Sequence, residues 1–500
     1  MPFSRRPTRA APARTALIVV LTVGLLASAC GPPRRSVTGW VPYWSTDTGR
    51  TTITTAADLL SEISPFWYRA TSATTLVDDE LGSDQAAVIA QAKAANIPLL
   101  PSVRDGMPAR AMAAVLANPA QRATHVATLV NLVEANGFAG IDLDYEQFAF
   151  SDGTASWATT RPAWVQFVAE LGAALHARAR LLTVTTPPIY SSSRAPGTGY
   201  WVYDWAAIAP HVDRLRIMAY EFSSSSPGPM APLWWARQIV SYAVTVVPPA
   251  KIQIGAPTYG RDFVVGVAGT CPNGVVPARA DVRNSRTATL VAQKAAIPVR
   301  DGPSGEMTFS YVDTFTGPPP PATTIAGGTT VPPPAQVTCQ VARTVWYPDT
   351  ESMMGKARLV GEFGISGLAQ WALGFEDPAQ WQPLRDYAAT LPHPGGTDPI
   401  GAIEAVQPGS GLVIVGGWAF DPETDLPVQV AVTTAAGRSL LLANGARPDV
   451  AQAYPGAGPF HGFGSSIATP PGRQAVCLDA LGVGAGARTA RIGCVTVTVT

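Results

Sequence analysis

Three carboxylates stand two residues apart in the run Asp142-Leu143-Asp144-Tyr145-Glu146. On a strand, alternate side chains share a face. Asp142, Asp144 and Glu146 therefore point one way, and Ile141, Leu143 and Tyr145 the other. Three acids gathered on one buried face cannot all ionise cheaply, because each charge disfavours the next. Their proton affinities are pushed apart, so that one stays ionised while another stays protonated as a general acid. No lysine or arginine accompanies the run, which makes a purely structural ion-pair network the weaker reading.

Such a ladder needs a frame that buries its face and leaves one end open. From Val37 to about Leu391, short apolar runs alternate with helix-like segments. Eight runs read as strands: Val37–Trp44, Ile63–Arg69, Ile97–Val103, Gly140–Glu146, Leu181–Thr186, Arg214–Glu221, Ile252–Pro257 and Gly367–Leu373. Amphipathic stretches such as Asp84–Ala95, Pro162–Arg178 and Trp234–Val246 lie between them, and Pro162 suits a first helical turn, which needs no backbone donor. Strand–helix alternation repeated eight times predicts an α/β fold, a parallel sheet closed into a (β/α)8 TIM barrel over residues 36–392. Barrel enzymes place their chemistry at the C-terminal ends of the strands, where Glu146 falls.

One connection, between Gly260 and Trp346, is too long for a simple crossover. It reads as an insertion of about 262–345 on the seventh loop, at the active-site face, with extended and mobile segments at Pro318–Pro321 and Pro332–Pro334. Residues 393–399 form a Pro/Gly-rich linker. Residues 400–500 carry short alternating runs, among them Gly411–Phe420, Val428–Thr433 and Val495–Val499, and read as a small all-β sandwich.

Charged residues make up 14% of the chain and the formal charge is zero, so composition suits a sizeable core and gives no sign of a nucleic-acid partner. Residues 1–30 read as a signal peptide: Arg5, Arg6, Arg9 and Arg14, then apolar Ala16 to Leu26, then Ala27-Ser28-Ala29. Losing those four arginines would leave the mature chain four charges acidic. Cys30 follows the cleavage signal as in a bacterial lipobox, although Ala27 stands where leucine is usual. Lipidation at Cys30, simple secretion and a retained anchor all remain open. The other cysteines form two local pairs, Cys271–Cys339 and Cys477–Cys494, the one connectivity that needs no bridge between domains. The histidines are scattered without metal-ligand spacing, so neither a metal nor a cofactor is expected. A monomer is expected.

The acidic run resembles the Asp-x-x-Asp-x-Asp-x-Glu signature of family-18 glycoside hydrolases. Further positions match along most of the barrel. Gly39-Trp40-Val41-Pro42-Tyr43-Trp44 resembles the first strand, Met218-Ala219-Tyr220-Glu221 the Met-x-Tyr-Asp segment, and Gly367-Leu368-Ala369-Gln370-Trp371-Ala372-Leu373-Gly374 the last strand. Pro227-Gly228-Pro229, Pro257-Thr258-Tyr259-Gly260 and Gly374-Phe375-Glu376-Asp377-Pro378 are similar to the spore-cortex and cell-wall hydrolase branch. The resemblance implies a retaining, substrate-assisted mechanism on glycans containing N-acetylglucosamine, peptidoglycan or chitin. It implies Glu146 as proton donor, Asp144 orienting the substrate acetamide with Asp142 supporting it, and Tyr220 bonding the acetamide oxygen, helped by Glu221. Trp371 is implied as the floor under the sugar. Trp40, Trp44, Trp67, Tyr259 and Trp346 are looser candidates for subsite walls.

Two positions depart from the pattern. Ala139 replaces the first Asp of the signature, which implies altered proton sharing rather than inactivity, and Glu221 replaces the usual Asp after Tyr220. In the C-terminal region, Gly417-Trp418-Ala419-Phe420-Asp421-Pro422, Arg447-Pro448-Asp449-Val450 and His461-Gly462-Phe463 resemble a repeat module appended to bacterial wall-active enzymes. That implies binding to the cell wall, with a passive spacer as the alternative. The rival to a hydrolase is a lectin-like barrel that binds the same polymers without cutting. The presence of Glu146 argues for the hydrolase, and Ala139 leans the other way.

Overall fold

The computed structural model describes residues 36–500 apart from 80–83, 179, 196, 322–334, 392–397, 423–426, 455–458 and 483–488. The expected signal segment with Cys30, linker residues 393–397 and Pro332–Pro334 lie outside the described residues.

Eight parallel strands close into the expected barrel: β1 (Val37–Pro42), β2 (Leu60–Ala70), β3 (Ser102–Asp105), β4 (Gly140–Asp144), β5 (Leu181–Thr186), β6 (Arg214–Ile217), β7 (Ile252–Pro257) and β8 (Gly367–Trp371). Each pairs with the next, and β8 returns to β1 with Gly39 opposite Gln370. The apolar face of the strands builds the main core. Ile141 and Leu143 of β4 pack in one cluster with Leu129 and Val133 of helix Pro119–Asn136 and with Phe167 and Leu171 of helix Trp157–His176. Burial of each such side chain contributes roughly 1.5–3 kcal/mol. Gly140 starts β4 because a Cβ there would lie 2.2 Å from the carbonyl oxygen of Leu181 on β5.

Strand ends differ from the sequence reading for identifiable reasons. β3 begins at Ser102 rather than Ile97, because Pro98 and Pro101 cannot donate to a ladder, and Leu99 makes only an isolated bridge to Ile63. β1 stops at Pro42, β4 at Asp144 and β6 at Ile217, so Trp44, Glu146 and Tyr220 stand on the turns just beyond their strands. Helix Trp157–His176 starts before Pro162, which therefore lies inside it.

The insertion is a folded subdomain rather than a stapled loop. Its five antiparallel strands run in the order Ala280–Arg283, Tyr259–Gly269, Val337–Tyr347, Glu306–Gly317 and Val299–Asp301. Leu290 and Val291 of helix Asn284–Lys294 pack on Phe309, Val345 and Tyr347. The Cys271–Cys339 disulfide forms as expected. A buried ion pair roots the subdomain in the barrel. Glu306 accepts from the backbone N–H groups of Met230 and Ala231, both at 2.7 Å, and lies 3.8 Å from Lys356 Nζ on helix Thr350–Phe363.

The C-terminal region is all-β. Two four-stranded sheets face each other across a core that includes Val413, Val415 and Phe463 from one and Val430, Val432, Val476 and Leu478 from the other. Cys477 and Cys494 are bonded across adjacent strands, at directly opposed positions.

Lys356 and Glu306 are both fully buried, and burial pushes the ammonium down and the carboxyl up from their ordinary values. Removing the cation alone leaves a buried carboxyl with no counter-charge. Lys356→Met is therefore expected to destabilise the protein by about 3–5 kcal/mol. Urea unfolding followed by tryptophan fluorescence checks this, and an unchanged midpoint would contradict it.

Candidate active site

A cavity of about 550 Å³ opens at the C-terminal ends of the strands, a size within the range of about 300–1,000 Å³ usual for small-ligand sites. Asp144 and Glu146 line it from β4 and the turn after it, Tyr220 and Glu221 from the end of β6, and Thr185 from β5. Trp40, Phe66 and Trp371 supply apolar surface.

Asp142 lies one step deeper and does not line the cavity. It is fully buried and accepts four hydrogen bonds: from Thr185 Oγ1 at 2.7 Å, Ser102 Oγ at 2.6 Å, Trp40 Nε1 at 2.8 Å and Arg216 Nη1 at 3.1 Å. Arg216 corrects the reading that no base accompanies the acidic run. It is distant in sequence but enters the barrel interior from β6, two strands away. Its other N–H groups bond Gln253 Oε1 at 2.7 Å, Glu62 Oε1 at 2.7 Å, Thr38 Oγ1 at 3.0 Å and Ser64 Oγ, so all five donors are used. The structural ion-pair network therefore exists, and Asp142 belongs to it.

Asp144 is 4% exposed, and its Oδ1 has no hydrogen-bond partner among the described residues. Burial, then the charges of Glu146 and Asp142, push its carboxyl well above the usual carboxylate range, against the opposing pull of Arg104 and Arg216. Glu146 is half-buried, and burial followed by the charge of Glu221 pushes it up to about 7. A carboxyl so placed holds a proton near neutrality and can give it up inside the cavity. Tyr220 turns its ring against Gly255, where a Cβ would lie 2.9 Å from Cε1. Burial, then the charges of Asp144 and Glu146, keeps its hydroxyl protonated by raising it well above the ordinary tyrosine value.

Glu221 sits at φ 62°, in the left-handed region. Tyr259 Oη and an Arg261 guanidinium N–H both donate to its Oε1. Burial works against the Glu221 carboxylate, but these bonds outweigh it and hold the group below its ordinary value. Both donors stand on the first strand of the insertion, so the subdomain fixes one wall of the cavity.

The aromatic candidates separate. The Trp371 ring packs edge-on against Phe66 at 4.7 Å and Trp40 at 5.7 Å. Trp44 is exposed and 6.3 Å from Trp371, outside the cavity lining. Tyr259 is buried with Met230, Ala372 and Phe375 and reaches the site only through Glu221. Trp67 points outward into the helical core and is fully buried, and Trp346 pairs within the insertion sheet, so neither forms a wall. Phe150, Tyr190, Tyr200, Phe222 and Trp235 do line the cavity and were not found from sequence. Tyr190, Tyr200 and Phe222 stand on loops, Phe150 ends the short helix Gln147–Phe150, and Trp235 belongs to the first turn of the helix Leu233–Ala243, whose periodicity marks a buried face and not a cavity wall. Arg216 and Glu62 did have a signal: a charged residue set among apolar residues of a strand. Among the described residues, no group of three or more His, Cys, Asp or Glu side chains is placed to hold a metal ion.

Comparison with known proteins gives the family and the fold. The model for glycosyl hydrolases family 18 matches residues 40–376. A cortical fragment-lytic enzyme of Bacillus anthracis is 26% identical over 262 residues, which is 52% of this chain and 52% of that protein. The chain spans about half the length of most of the curated relatives it matches. A class V chitinase of Pseudomonas fluorescens superposes with a TM-score of 0.56 at 26% identity, covering 70% of this chain and 98% of that one. The spore cortex-lytic enzyme of Bacillus megaterium shares the fold, with a TM-score of 0.56 at 21% identity over 71% of this chain and 75% of that one.

Glu221 is one of the two causes that lift the Glu146 carboxyl to about 7. Glu221→Gln removes a negative charge, so Glu146 is expected to release its proton at lower pH than in the parent. Carbon-13 NMR titration of glutamate-labelled protein, with Glu146→Gln to identify the resonance, checks the direction. An unchanged or higher midpoint would contradict it.

Proposed function

The chain belongs to the glycosyl hydrolases of family 18, and from that premise we propose that it cleaves β-linked glycans containing N-acetylglucosamine, peptidoglycan or chitin, with retention. The observation that carries this reading is Glu146: a carboxyl protonated near neutrality, on the wall of a cavity shared with Asp144 and Tyr220. In the proposed reaction Glu146 protonates the glycosidic oxygen. The acetamide oxygen of the substrate attacks the anomeric carbon, the bond to the leaving sugar breaks, and a cyclised sugar forms. Asp144 orients the acetamide and stabilises the positive charge that develops on it, above Asp142 held by Arg216. Tyr220 donates to the acetamide oxygen, and Trp371 stacks under the ring. Glu146, now ionised, takes a proton from the water that opens the cyclised sugar.

The names of relatives support the choice of substrate: cortical fragment-lytic and spore cortex-lytic enzymes on one side, a chitinase on the other. The lectin-like alternative leaned on Ala139. That residue packs with Leu100 and Leu181 at the start of β4, the end away from the cavity, which supports the hydrolase. Export to the envelope is part of the proposal and is supported by the two disulfides, which persist in oxidising compartments. Lipid attachment at Cys30, wall binding by the C-terminal sandwich and a monomeric state are parts of the same proposal.

Glu146→Gln keeps the shape of the side chain and removes the proton donor. Turnover of peptidoglycan or chitin oligomers is expected to fall by about 10²–10⁴-fold, while the variant still binds the glycan. Product analysis on both substrates measures it. Turnover within about tenfold of the parent would sink the assignment, since general acid catalysis contributes more than that.

A further inference from the structure

The ladder of β4 stops at Asp144, two residues short of Glu146. Glu146 has φ −104° and ψ −14° and precedes the four-residue helix Gln147–Phe150, without a side-chain cap. The sheet therefore does not fix the peptide between Tyr145 and Glu146. Two buried contacts do. Tyr203 ends a 3-10 turn in the connection from β5 to β6, and its hydroxyl donates to the carbonyl oxygen of Tyr145 at 2.6 Å. The Tyr145 ring lies parallel to Phe167, with an interplanar angle of 5°, and its hydroxyl is 2.6 Å from His125 Nε2. His125 Nδ1 faces the Ala73 carbonyl oxygen at 3.1 Å, which can only accept. In the neutral ring that leaves Nε2 as acceptor, so Tyr145 donates to it.

Tyr203 is held in turn. Trp164 Nε1 donates to its carbonyl oxygen at 3.1 Å, and its ring packs on Trp164 and Phe148 at 5.5 and 5.9 Å. Tyr145, Phe148, Trp164 and Tyr203 are all fully buried.

We propose that Tyr203 is a positioning residue for the acid: its bond to the Tyr145 carbonyl sets the direction in which the Glu146 carboxyl enters the cavity. The proposal rests on the reading of Glu146 as proton donor. Tyr203 does not line the cavity and acts through the backbone. Without the hydroxyl, the Tyr145 carbonyl is left buried and unpaired, which favours rotation of the 145–146 peptide and displaces the carboxyl. Proton transfer is sensitive to displacements of about 1 Å.

Tyr203→Phe in the full chain keeps the ring and removes the donor. Two substrates share one N-acetylated glycone. One has a sugar leaving group that needs a proton, and the other has a dinitrophenolate that leaves without one. On the first, kcat/KM, which reports only the steps through departure of the leaving group and not the later attack of water, is expected to fall by about tenfold, and on the second by less than about threefold. A role in packing alone would lower both equally. Trp164→Phe removes the donor to the Tyr203 carbonyl together with part of the buried ring that packs on Tyr203 and Phe148, and is expected to show the same contrast, more weakly, should Tyr203→Phe fail to fold. Equal losses on the two substrates, or no loss on the first, would overturn the proposal. Glu146→Gln is measured alongside. If it shows the contrast and Tyr203→Phe does not, positioning by Tyr203 is wrong and the acid stands. If Glu146→Gln lowers both substrates equally, the acid reading falls and this proposal with it.

Discussion

Arg216 lies at the middle of the barrel, 0% exposed, with each of its five N–H groups bonded. A charge taken out of water at that depth is tolerated only when counter-charges and hydrogen bonds replace the solvent. Glu62 from β2 and Asp142 from β4 supply the charge. Thr38, Ser64 and Gln253 supply the remaining acceptors, and the Trp40 ring lies 5.4 Å from the guanidinium. Four other strands of the ring, β1, β2, β4 and β7, thus converge on one side chain of β6. This fixes Asp142, and it fixes what lies above Asp142: Asp144 and Glu146 sit over a carboxylate already committed to its partners.

Above that level the chemistry is governed by desolvation. Asp144, Glu146 and Tyr220 are all raised chiefly by burial, and each is raised further by the charges of its neighbours. The barrel alone does not complete this environment. Glu221, which lifts Glu146, is oriented by Tyr259 and Arg261 of the inserted subdomain, and that subdomain is tied to the loop after β6 through Glu306. Two connections of the barrel, those after β6 and β7, therefore bear on the proton affinity of a single carboxyl.

Much of this was legible in the sequence because strand periodicity is local. Alternation in Ile141 to Glu146 separates the face that packs on helices from the face that holds the acids. The eight-fold strand and helix rhythm fixes the ring. The strand ends were read too long where proline or a turn ends the ladder, as at Pro101 and after Ile217. The ladder of acids was read without Arg216, because the partner of a buried charge is chosen by barrel closure and not by nearness in sequence. The aromatic lining from Tyr190, Tyr200 and Phe222 depends on the paths of loops, which carry no period, and Phe150 and Trp235 stand on helices that those loops bring to the cavity. The insertion sheet was missed because Glu306–Gly317 mixes Thr, Ser and Asp into its alternation, as a sheet with one solvated face does.

In the proposed reaction the substrate, and not the protein, supplies the nucleophile. Asp144 lies next to Glu146 in the ladder, so a direct attack by its carboxylate is the competing route. The two routes differ in what the 2-acetamido group does. As nucleophile it is indispensable to the chemical step, whereas for attack by Asp144 it only contributes binding. The direct measurement is kcat on matched aryl glycosides with and without the acetamide. With the acetamide as nucleophile, kcat is expected to collapse when the acetamide is absent, even at saturating substrate. Comparable kcat on both, or a glycosyl ester trapped on Asp144, would contradict it.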